Sequence, residues 1–112
     1  MTRHDDVIRL RHMLDYAQEA VEMARGRQRE DLQRDRMLQL ALVRLVEIVG
    51  EAAARVGPET QERFAYIPWP QARGMRNRLI HGYDKVDLEV LWDTILDDLP
   101  ALIAQLQQAL GS

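Results

Sequence analysis

Cysteine is absent from the 112 residues. That excludes a disulfide framework and every thiolate-bound zinc or iron–sulfur site. Lysine is nearly absent as well: 14 of the 15 basic residues are arginine, and Lys85 stands alone. Asparagine occurs once, as Asn77. Long apolar runs are missing too. The strongest one is broken by Arg44 and Glu47, far short of a membrane span. Residues 1–11 are dense in charge and hold no signal-peptide core. No low-complexity linker and no internal repeat divides the chain. These absences predict one soluble, cytoplasmic domain over residues 1–112, with no membrane association. The net charge is −3, which argues against nucleic-acid binding through bulk positive charge.

What is present is helical periodicity. Val7, Leu10, Leu14, Ala17, Val21 and Ala24 recur at spacings of three and four, one continuous helix stripe. Asp5 or Asp6 can cap its start, and Gly26 can end it. A second stripe runs through Leu38, Leu42, Leu45, Val49, Ala52 and Val56. That helix has a further apolar face, with Val43, Val46, Gly50 and Ala54, which predicts a central position or burial by another chain. Gly50 suits a close helix contact. Gly57-Pro58 stops the helix. Pro68-Trp69-Pro70 favours a third helix start, running to about Ile80 with Trp69, Ala72, Met75 and Leu79 buried. Asp87 caps a fourth, whose stripe is Leu88, Trp92, Ile95, Leu99, Leu102, Leu106 and Leu110. Pro100 falls inside it and predicts a kink or split. No stretch alternates with period two. The prediction is an all-α, up-down bundle of four to five helices. Trp69 and Trp92 read as core residues, and His4 and His12 as solvent-facing.

Charge is uneven. Residues 1–83 carry 14 basic and 12 acidic groups, whereas residues 84–112 carry 1 and 6. The acidic end reads as a solvated helix face. The most informative stretch is Arg76-Asn77-Arg78-Leu79-Ile80-His81-Gly82-Tyr83. If the helix ends near Ile80, His81 turns back over its last turn and Tyr83 follows from the loop. Histidine moves protons near neutral pH. Arginine presents a planar fork of donors that fits phosphate oxygens. Asparagine can orient a neighbour, and tyrosine can donate a hydrogen bond or stack on a base. Together they suit phosphodiester cleavage without a metal or cofactor. A capping histidine and surface arginines account for the same residues without catalysis. Glu47 and Glu51, one turn apart, lack the Glu-x-x-His pattern of a di-metal bundle site.

The arginine–asparagine pair, the histidine and the following tyrosine resemble the signature of the HepT-like proteins of the HEPN superfamily. Ile48-Val49-Gly50-Glu51-Ala52 is similar to that family's mid-chain glycine–glutamate–alanine segment. Trp92 and Asp98-Leu99-Pro100 are similar to its C-terminal elements. The resemblance spans nearly the whole chain. It implies a HEPN-like helical bundle that forms a homodimer, with the two motifs facing each other across a cleft. It further implies the toxin of a toxin–antitoxin module, acting on RNA, whose antitoxin is a minimal nucleotidyltransferase. By position, Arg76 and His81 become the ribonuclease pair, Asn77 their polar support and Tyr83 the acceptor of AMP. Apart from the resemblance, Arg73 and Arg78 flank the motif and are candidates to line the cleft or to be plain surface charge, and Glu51, a further candidate, can bond Arg76 or Tyr83 across the bundle. The competing reading is a non-catalytic helical partner that binds and positions the nucleotidyltransferase. The net charge and the acidic last helix favour it.

Overall fold

Three long helical rods carry the apolar stripes, as the computed structural model shows for residues 2–81 and 85–111, with His81 described by its backbone alone. Helix α1 (His4–Ala24) lies against α3 (Arg36–Arg55) and α8 (Leu99–Leu110). Leu10, Leu14 and Ala17 of α1 meet Leu42, Val46 and Val49 of α3 and Leu102 and Leu106 of α8 in one core. This is the all-α, HEPN-like bundle. Among the described residues no helix is long and apolar enough to cross a membrane.

Between α1 and α3 lies α2 (Arg29–Arg34), a short helix the periodicity does not predict, since it buries only Leu32. Asp35 caps α3 by accepting from the Leu38 N–H at 3.0 Å. The expected cap of α1 differs. No side chain caps that helix, whose preceding residue is Arg3. Asp6 instead points across the molecule to the start of α4 (Pro58–Arg63) and ties α1 to it. Its carboxylate accepts the Gly57 N–H at 3.2 Å and the Thr60 hydroxyl at 2.6 Å. Proximity in sequence suggested a local cap, but the buried donors of α4 compete for the same oxygens and hold them.

The third predicted helix is two pieces, α5 (Trp69–Arg73) and α6 (Met75–Leu79), parted at Gly74. Trp69, Ala72, Met75 and Leu79 are all buried, as the stripe predicts. The Trp69 indole N–H donates to the carbonyls of Gln61 and Phe64, both at 3.1 Å, and pins the entrance of α5. Gly50 performs the expected close contact. A Cβ there would stand 3.3 Å from the Ala72 carbonyl oxygen and 3.5 Å from that of Arg73. Gly50→Val should therefore force α5 away from α3 and cost about 1–3 kcal/mol, as overpacking does. Urea unfolding checks this, and an unchanged midpoint would refute the contact.

The last rod is α7 (Leu88–Asp93), a π-helical turn over Thr94–Asp98, and α8. Asp87 caps α7 by accepting from the Val90 N–H. The predicted break at Pro100 takes a definite form: the chain widens before the proline, and the Leu99 N–H donates to Thr94, five residues back. Proline can neither donate to nor sit against the carbonyl four residues earlier, so the register changes there. Trp92, Ile95, Leu99 and Leu102 stay buried through the change, while Leu96 turns outward.

Candidate functional site

Helix α6 is anchored by Met75 and Leu79, both fully buried. That leaves Arg76, Asn77 and Arg78 on its exposed side. The helix ends at Ile80, where the chain extends. Ile80–His81 forms a two-residue strand, β1, paired antiparallel with Lys85–Val86, β2. Ile80 lies opposite Val86 and His81 opposite Lys85. The Asp87 N–H closes the ladder on the Leu79 carbonyl at 2.7 Å. The two short strands are a local addition to the all-α bundle. A ladder of two residues is too short to show as alternation. It places the His81 backbone directly after the arginine-bearing turn. Tyr83, with Gly82 beside it, lies outside the described residues.

Each arginine of this region is held by an acceptor from a different element. Arg73 donates to the Gln61 side-chain oxygen at 2.8 Å, which ties α5 to α4. Arg76 donates through Nε to Glu47 of α3 at 2.9 Å. Arg78 donates to Asp98, in the π turn, at 2.9 Å. All three side chains remain solvent-accessible. The two ion pairs, Arg76–Glu47 and Arg78–Asp98, and the neutral Arg73–Gln61 bond lie at the surface; such surface pairs contribute little stability, about 0–1 kcal/mol, so they orient side chains more than they hold the fold. Asn77 is exposed between the two charged pairs.

Glu51 does not reach Arg76. It pairs with Arg44 along its own helix at 3.2 Å and lines a groove of about 280 Å³ between α1 and α3. Glu47, one helical turn earlier, takes the position expected of Glu51. The sequence offered both glutamates, and a register difference of four residues on one helix decides between them. Asp98 was visible only as part of an acidic-Leu-Pro element, and its bond to Arg78 spans 20 residues. His4 and His12 are exposed and Trp69 and Trp92 buried, as expected.

A small helical bundle that sets an exposed arginine–asparagine–arginine turn directly ahead of a histidine defines the HEPN-like class of all-α proteins. Within that class the chain belongs to the Ribonuclease HepT-like family, whose model matches residues 13–109. A relative from Caldanaerobacter subterraneus, named "Putative RNase TTE0752", is 37% identical over 101 residues, covering 90% of each chain. "Probable ribonuclease HepT" of Thermococcus cleftensis is 40% identical over 73 residues, 65% of this chain and 66% of its own. "Putative RNase MJ1380" of Methanocaldococcus jannaschii is 29% identical over 102 residues, 91% of this chain and 94% of its own. No solved structure matches the chain.

Proposed function

We propose that this ribonuclease-family protein is the toxin of a toxin–antitoxin module, a metal-independent endoribonuclease that works in the cytoplasm as a homodimer. The observation that carries the reading is the order of the site: a solvent-facing Arg76 on α6, then His81 in the strand that follows. In the proposed reaction the RNA 2′-hydroxyl attacks its own phosphorus. One His81 takes the hydroxyl proton, the bond to O5′ breaks, and the His81 of the second copy protonates the leaving oxygen. Arg76 stabilises the charge on the crowded phosphorus. The products are a 2′,3′-cyclic phosphate and a 5′-hydroxyl. Asn77 supports the pair, and Arg73 and Arg78 line the cleft.

The dimer is supported by apolar surface on α3. Met37 is 82% exposed and Leu40 51% exposed, on the helix that carries Glu47. Regulation falls to Tyr83. A nucleotidyltransferase antitoxin would activate the phenol to attack the α-phosphate of ATP, with pyrophosphate leaving. The added AMP would bring negative charge and bulk to the motif and keep RNA out.

Purified, unmodified protein should cut single-stranded RNA in EDTA and leave the cyclic phosphate. Co-expression with the cognate nucleotidyltransferase should add mass in steps of AMP to the peptide containing Tyr83. No cutting by the unmodified protein would favour the second reading, a non-catalytic partner that positions the nucleotidyltransferase. The net charge of −3 and the acceptors already on Arg73, Arg76 and Arg78 support that alternative. An absent AMP shift, with both proteins active, would remove the modification.

A further inference from the structure

Glu47 and Arg76 lie 29 residues apart in sequence, yet two separate features bring them together. The first is backbone proximity. The Cβ position at Gly50 lies 3.9 Å from the Arg76 backbone nitrogen, so the missing side chain lets α6 approach α3 at this level. The second is the side-chain bond from Arg76 Nε to Glu47 Oε2 at 2.9 Å, one helical turn from Gly50. Glu47 is only 19% exposed, against 55% for Arg76. The carboxylate sits at the foot of the arginine, and the guanidinium reaches out over it.

The point of attachment matters. A guanidinium has five N–H donors, and the bond uses the one on Nε. Among the described residues, the two terminal nitrogens meet no acceptor. They keep the fork that matches two oxygens of one phosphate. A free arginine side chain would lose about 1–2 kcal/mol of rotamer entropy on being fixed against phosphorus. Arg76 has already lost part of it to Glu47.

We propose that Glu47 is a positioning residue. It holds Arg76 by Nε so that the terminal nitrogens meet the scissile phosphate of RNA, at the cost of repelling that phosphate in the ground state. The assignment rests on the ribonuclease reading. A positioning role and a blocking role predict opposite signs. Glu47→Ala should lower kcat by about 10²-fold, because a loosened arginine no longer meets the transition state. KM should stay level or fall, because a negative charge has left the cleft. Glu47→Gln should recover most of kcat, since its amide oxygen accepts the same Nε–H. Arg76→Ala and the double variant with Glu47→Ala should be equally slow. The melting temperature should barely move in Glu47→Ala, the pair being half exposed.

A kcat that is unchanged or raised in Glu47→Ala, beside an inactive Arg76→Ala, would overturn the positioning role while leaving the nuclease intact. An inactive wild type would instead sink the ribonuclease reading. The bond itself is then judged by the arginine Nε–H signal in a nitrogen-15 NMR spectrum. Arg76 should exchange with water more slowly than arginines whose Nε–H meets no acceptor, and Glu47→Ala should abolish the difference. Fast exchange in wild type would overturn the proposal without any assay of activity.

Discussion

Arg76→Ala is expected to lower kcat/KM for RNA cutting on the order of 10³-fold, with the fold unchanged. The first half follows from what the side chain would supply: two parallel donors at the place where charge accumulates on phosphorus, a contribution of about 10²–10³ for a single oriented donor. The second half follows from its placement. Arg76 is more than half exposed and its pair with Glu47 is a surface pair, so its removal should change stability by less than about 0.5 kcal/mol. Arg76→Lys should recover little, because a point charge on a flexible stem does not reproduce a planar fork held at Nε. His81→Ala should cost about 10²–10⁴, the range of a positioned proton-transfer group. Dimers mixed from wild type and His81→Ala distinguish a shared cleft from two independent ones. A shared cleft loses nearly all activity in the mixed dimer, and retention of half the wild-type rate would sink the sharing of histidines. The read-out in each case is the yield of 2′,3′-cyclic ends, with circular dichroism to establish folding.

The long rods were readable because their apolar residues repeat at the helical period, so α1, α3 and the last rod appear in the sequence with nearly the correct inner faces. Helix α2 was not. It has six residues and buries a single leucine, too little for a stripe. Gly74 parts α5 from α6 without disturbing the burial pattern, so periodicity runs across the break unmarked. The hairpin after α6 has two residues per strand and is held by the Leu79 and Asp87 backbone, which carries no side-chain signature. At the site, local chemistry was readable: arginine, asparagine and histidine stand close together in the chain. Their partners were not. Gln61, Glu47 and Asp98 come from three other elements, 12, 29 and 20 residues away. Nothing in local spacing separates Glu47 from Glu51. Only the approach of α6 at Gly50 makes one of them the acceptor.

Asp6→Ala is expected to destabilise the fold by about 3 kcal/mol, the largest stability effect of any single polar substitution argued for this chain. Asp6 is 3% exposed and Thr60 2%. Removal of the carboxylate leaves the buried Thr60 hydroxyl and the part-buried Gly57 N–H without their acceptor, and a buried group so stranded costs about 1–3 kcal/mol. Arg9, which donates to the same carboxylate at 3.2 Å, would lose its partner as well. The pH dependence has a definite sign. Burial by itself would raise the Asp6 pKa, but hydrogen bonds from Thr60, Gly57 and Arg9 outweigh it and hold the carboxyl below its ordinary value of 3.8. The unfolded chain therefore binds this proton more readily than the folded one. The stabilisation is fully present above the ordinary carboxylate range and is lost as pH falls through the lower folded value. Asp6→Asn keeps one acceptor and no titration. It should sit between wild type and Asp6→Ala at pH 7 and should lose less stability than wild type between pH 5 and pH 2. Denaturant midpoints at the two pH values decide it. An Asp6→Ala loss below about 1 kcal/mol, or equal acid losses in wild type and Asp6→Asn, would show that the α1–α4 latch lies elsewhere.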